Sequence, residues 1–154
     1  MTARYIETLF CDDIRHEVGG GKLSFIGVYS GELLVPEFPV TLPKLCLFVK
    51  ILTPAEKPFR SLDLRVLKDA ETIQEIALGE EQLTPVSDLA EDMTEEQRKI
   101  GALANQVTAT FSPMRFDGPC TLSVRVRTDD GELHGGVLKV AQTRPSVDVV
   151  PEQS

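Results

Sequence analysis

The densest run of reactive side chains is Cys11-Asp12-Asp13-Ile14-Arg15-His16. It holds a thiol, two carboxylates and an imidazole, the makings of a metal site or an acid–base pair. On a strand, alternate residues share a face. Asp12 and His16 then fall together with Ile14 between them, and Cys11 falls with Asp13. Two side chains are too few for zinc, which takes three or four protein ligands. The run reads better as a strand end entering a turn, with Asp accepting from backbone N–H groups. A second acidic group, Asp129, Asp130 and Glu132, would sit beside Asp12 and Asp13 at a sandwich tip if it were to bind calcium. EF-hand spacing is absent, and paired Asp before Gly131 is turn chemistry first. No metal or cofactor is expected. Asp12, Asp13, His16, Asp129 and Asp130 come nearest to a metal site.

Catalytic signatures are sparse. Gly19-Gly20-Gly21-Lys22 is followed by Leu23 where a phosphate loop requires Ser or Thr, so that reading fails. Nucleophilic catalysis needs a nucleophile, a base and an orienting group. Only His16 and His134 could be the base, and there is no Gly-x-Ser-x-Gly. A hydrolase using Cys11 or Asp13 with a histidine is a third reading behind two non-enzymatic ones.

The composition narrows the partners. The chain has 154 residues, with 16 Lys and Arg against 24 Asp and Glu, a formal charge of −8. That charge argues against general nucleic-acid binding and against docking on an anionic membrane. With 42% hydrophobic and 26% charged residues it is ordinary globular chain, about one domain long. Glu7 and Thr8 interrupt any apolar export stretch near Met1, and no run is long enough to span a membrane. Cys11, Cys46 and Cys120 are an odd number in apolar contexts. Cys46 and Cys120 would mimic an immunoglobulin bridge, but the companion Trp is absent. Free thiols in the cytoplasm are expected.

The elements that must position these residues are strands. Leu62, Leu64 and Val66 alternate with Ser61, Asp63 and Arg65; Leu122, Val124 and Val126 with Ser123, Arg125 and Arg127; Val107, Ala109 and Phe111 with Thr108, Thr110 and Ser112. A period of two with one wet face marks antiparallel sheet. Leu45–Leu52 and Phe25–Tyr29 are apolar on both faces and are expected at the centre of the fold. Gly19–Gly21, Asp129–Gly131 and Lys68–Glu71 read as hairpin loops. Leu133 lies on the opposite parity from Leu138 and Val140, with Gly135-Gly136 between, which predicts a β-bulge.

Residues 79–105 break the pattern. Thr94-x-x-Gln97 matches a capping box, predicting a short helix over 94–104 inside a long crossover, with Ile100, Leu103 and Ala104 inward. A crossover that long either carries function or packs a sheet face. Its acidic residues Glu91 and Asp92 are interaction candidates, as are Leu33, Leu34, Val35, Phe38 and Val40 in the Pro-interrupted stretch Leu33–Val40. That stretch reads more simply as a connection between sheets.

Together these features predict an all-β protein, an antiparallel β-sandwich of about 8–9 strands, immunoglobulin-like or C2-like, with a closed barrel as alternative. Residues 1–142 form the domain, and 143–154, with two prolines, a flexible tail. The expected function is non-enzymatic protein–protein contact, as a homo-oligomer or with another protein. The alternative is a calcium- or small-ligand-binding module using acidic tip loops.

Phe10-Cys-Asp-Asp-Ile-Arg-His-Glu-Val-Gly-Gly, Lys22-Leu-Ser-Phe-Ile-Gly-Val-Tyr29 and Phe38-Pro-Val-Thr-Leu-Pro-Lys-Leu-Cys46 resemble the opening of a family of short uncharacterised bacterial proteins. The resemblance covers the first third of the chain. It implies a bacterial source, with prophage linkage within its range, and brings no established activity and no catalytic residues.

Overall fold

Residues of alternating character settle into eleven strands in a computed structural model that describes residues 3–79, 81, 83 and 102–144. One sheet, A, has the order β2-β1-β5-β8, built from Leu23–Val28, Tyr5–His16, Leu45–Pro54 and Ala102–Phe111. The facing sheet, B, has the order β3-β11-β10-β6-β7, from Glu32–Val35, Gly131–Gln142, Cys120–Thr128, Leu62–Lys68 and Glu71–Leu78. A two-stranded piece pairs β4 (Val40–Leu42) with β9 (Met114–Phe116). All pairings are antiparallel except β3 with β11. The sheets stay open, so the architecture is a sandwich and the barrel is set aside.

The core lies between A and B. Sheet A contributes Phe10, Leu45, Leu47, Val49 and Ile51; sheet B contributes Leu33, Val35, Leu62, Leu64, Val66, Leu122, Val124, Val126, Leu138 and Val140. Period-two burial in β6 and β10 follows the alternation in their sequences. The predicted bulge is present: Ser123 faces Val137 and Arg125 faces His134, so β11 carries one extra residue at Gly135-Gly136. Gly is required there by a close approach, since a Cβ on Gly136 would stand 2.5 Å from Thr8 Oγ1. Instead the Gly136 N–H donates to that oxygen at 2.7 Å, tying sheet B to β1.

Three expectations need correction. Leu103 and Ala104 belong to β8, where Leu103 pairs with Thr53 and is buried. Ten-residue pairing with the apolar strand β5 outweighs the local capping signal, and the rest of the 94–104 segment lies outside the described residues. Phe25–Tyr29 is not central. Residues 25–28 belong to β2, which among the described residues is the edge of sheet A, and Ile26 and Val28 are exposed. The strand count exceeds the expected 8–9 because Glu32–Val35 and Val40–Leu42 pair on either side of Pro36 and Pro39. Proline interrupts a ladder only where its missing N–H would have donated.

Candidate functional site

Three clusters of chemistry-bearing side chains result from this topology. The first is at the end of the sandwich where β1 begins. Arg4, its side chain 5% exposed, reaches between two loops. Its Nε donates to Thr53 Oγ1 at 2.9 Å, Nη1 to Asp129 Oδ1 at 3.0 Å, and Nη2 to the carbonyls of Lys57 and Pro58 at 3.1 Å. Its guanidinium lies over the Phe59 ring, 4.4 Å from the centroid. Lys57 pairs with Asp130. A cavity of about 280 Å³ opens beside them, lined by Arg4, Lys57, Thr128, Asp130 and Leu133 among others. The tip carboxylates Asp129 and Asp130, which the calcium alternative would use, therefore already have protein cations. Burial would raise the Asp129 carboxyl, but the Arg60 N–H and Arg4 outweigh it and hold it below its ordinary value. Lys57 does the same for Asp130.

The second cluster lies eight or more residues further along β1, roughly 25 Å away at about 3.3 Å per residue, so Asp129 and Asp130 do not join Asp12 and Asp13. Asp12 accepts from the Tyr29 hydroxyl. Gly27, at φ +69°, lies against that carboxylate, leaving no room for a Cβ. Burial, then Asp12, pushes the Tyr29 phenol up. Asp13 takes Lys44 at 2.9 Å and Arg15 at 3.6 Å, and the Lys44 hydrogen bond lowers its carboxyl. His16 is exposed at the strand's end, opposite Leu23. Among the described residues no three His, Cys, Asp or Glu gather as a metal would need.

Cys11 is fully buried here and stands directly opposite Cys46, 2% exposed, across the β1–β5 ladder. Their neighbours Phe10, Leu45 and Leu47 are core residues, so both thiols lie on the face of sheet A turned away from sheet B. Phe25 of β2 packs edge-on against Phe48 on that face, with ring centroids 5.0 Å apart. The sequence favours free thiols over a Cys46–Cys120 bridge, and all three cysteines are free. Cys120 belongs to the core between the sheets, so the immunoglobulin-type bridge is not formed.

The third cluster is the outer face of sheet B. Glu132 gathers Arg65 at 3.0 Å, Arg125 at 3.5 Å and His134 Nε2 at 3.5 Å. Leu133 packs on the core, so His134 points outward from sheet B, the far side of the sandwich from Cys11. His16 lies five residues along β1 from Cys11. Neither histidine is placed as a base for that thiol.

The interaction candidates of Leu33–Val40 separate sharply. Leu33 and Val35 are core, and Phe38 and Val40 pack against it, because β3 turns alternate residues inward before Pro36. Leu34 alone is exposed, beside a cavity of about 510 Å³ lined also by Glu32, Lys139 and Ala141. The stretch is a connection between sheet B and the β4–β9 pair. Glu91 and Asp92 lie outside the described residues, as do 145–154 of the expected tail; Thr143 at its start donates from its N–H to the Val35 carbonyl at 2.8 Å.

No helix among the described residues is long and apolar enough to cross a membrane. A family model described as a family of unknown function (DUF6941) matches residues 7–141, which take in all but the ends of the two-sheet sandwich. Neither the curated proteins nor the solved structures yield a match.

Proposed function

The chain belongs to this family of unknown function, and from that premise we propose that it is a non-enzymatic contact module, a bacterial cytoplasmic β-sandwich that assembles with further copies of itself through the side of β2. The observation that carries the reading is a pair of apolar side chains on an edge strand: Ile26 is 43% and Val28 51% exposed, on either side of Gly27. Edge strands are normally guarded by charge, proline or cover. The edge strand β7 carries Glu71, Gln74 and Glu75, and the edge strand β3 carries Glu32 and is closed by Pro36. Strand β2, Leu-Ser-Phe-Ile-Gly-Val, has neither charge nor proline. Gly27 in its left-handed conformation bends the strand end, so contact is made by the side-chain face rather than a continued ladder. Exposed apolar side chains adjoining on an edge mark protein contact in preference to nucleic acid or lipid headgroups.

Light scattering behind size exclusion tests this over a range of concentration. The wild-type chain is expected above monomer mass. The double variant Ile26→Lys with Val28→Lys is expected as a monomer with unchanged melting temperature. A wild-type chain that stays monomeric at every concentration overturns the proposal.

A further inference from the structure

The two buried thiols of sheet A have no role in that contact. Cys11 and Cys46 are direct partners in an antiparallel ladder and share one face. Opposed residues in such a ladder have Cα atoms about 4.5 or 5.5 Å apart. A disulfide accepts Cα separations of roughly 4.4–6.8 Å, so either kind of pair can close with little backbone movement. Both cysteines are free and buried, and Phe25 stands against Phe48, two residues from Cys46. The Cys11 Sγ–H donates to the Asp13 carbonyl at 3.4 Å, and Cys46 Sγ shares a 3.7 Å contact with Thr110 Oγ1. Cys120 is separated from them by the core of the sandwich.

We propose that Cys11 and Cys46 form a two-thiol oxidation site, which hydrogen peroxide closes into a reversible cross-strand disulfide. One sulfur, as thiolate, attacks a peroxide oxygen; the O–O bond breaks, and sulfenic acid and one water result. The second sulfur then attacks the sulfenic sulfur. The S–O bond breaks, the oxygen leaves as a second water with the second thiol's proton, and the S–S bond forms. The two thiols lose two electrons, and one peroxide gains them. Peroxide is the fitting oxidant because it is scarcely larger than water, while the covered site excludes a peptide disulfide such as oxidised glutathione. Burial, with Cys46 close by, pushes the Cys11 thiol up to about 11, so little thiolate is present at neutral pH and closure is slow.

The test exposes the reduced, folded wild-type chain to hydrogen peroxide and maps its peptides without reduction. A Cys11–Cys46 linked peptide, lost on adding dithiothreitol and leaving Cys120 free, is expected. The same exposure after Cys46→Ser is expected to leave no linked peptide. Three outcomes overturn the proposal. They are Cys11 and Cys46 both remaining free under peroxide that oxidises the urea-unfolded chain, a linkage that runs to Cys120, and oxidised glutathione giving mixed disulfides on either thiol where peroxide gives no link.

Discussion

Replacing Arg4 by Ala is expected to destabilise the protein by about 3–4 kcal/mol, far more than replacing an exposed arginine that has an equally short ion pair. Arg4 is 5% exposed at its side chain and serves Thr53, Asp129 and the carbonyls of Lys57 and Pro58. Its removal leaves some of these acceptors with other donors. Asp129 keeps the Arg60 N–H at 3.2 Å, and the Thr53 hydroxyl still donates to the Lys57 carbonyl at 2.6 Å. The Pro58 carbonyl and one side of Asp129 lose their partner. Breaking a buried charged pair costs about 3–5 kcal/mol. The adjoining cavity of about 280 Å³ admits water and pulls this to the lower end. Loss of the cation over Phe59 adds about 0.5–1 kcal/mol. Arg115 pairs with Asp117 at 2.8 Å, but both are mostly exposed, so Arg115→Ala should cost under about 1 kcal/mol. At roughly 2–4 °C per kcal/mol for a chain of this size, calorimetry should find Arg4→Ala melting about 10 °C lower and Arg115→Ala nearly unchanged. Arg4→Lys should recover little, since one ammonium cannot span acceptors on two loops. Equal and small effects of the Arg4 and Arg115 substitutions would refute the premise that burial, rather than pair geometry, sets the cost.

Two further outcomes follow from the same contacts. Gly27→Ala should cost more than Gly31→Ala in chemical denaturation, by about 1–3 kcal/mol. Both glycines have positive φ, but a methyl at Gly27 would overlap the Asp12 carboxylate held by Tyr29, while Gly31 faces open space. Equal costs would show that the Asp12 side chain simply moves aside. Stability should also fall as pH drops below about 4. Lys44 lowers the Asp13 carboxyl, Lys57 lowers that of Asp130, and at Asp129 the Arg60 N–H and Arg4 outweigh the opposing effect of burial. A carboxyl depressed in the folded state stabilises it above the unfolded value, near 3.9, and loses that contribution as pH falls through the folded value. Melting temperatures at pH 7, 5 and 3 check the sign, and a rise in stability toward pH 3 would contradict it.

What the sequence discloses here, and what it conceals, divides along one physical line. Period-two alternation says which residues share a face, and β6 and β10 are legible on that ground alone. Parity between Leu133 and Leu138 even locates the bulge at Gly135-Gly136, because a one-residue slip would turn the core face outward. Alternation does not say what covers a face. Leu33–Val35 and Phe25–Val28 are equally apolar runs, yet the first is half core and the second is an exposed edge. Both strands are sheet edges, so the difference is that pairing with β11, more than a hundred residues away, turns Leu33 and Val35 of β3 into the core between the sheets, which no local signal discloses. The same limit hid Arg4, whose acceptors come from positions 53 to 58 and 129, and hid the opposition of Cys11 and Cys46, which depends on the β1–β5 register. One trace of that opposition was present. Leu45–Leu52 is apolar on both faces, which requires cover on the side away from sheet B, and Cys46 and Phe48 are the residues on that side. The side chains with chemical potential in this fold therefore sit where non-local pairing brings them together, across the β1–β5 ladder and at the Arg4 end. Local motifs could name their members but not their meetings.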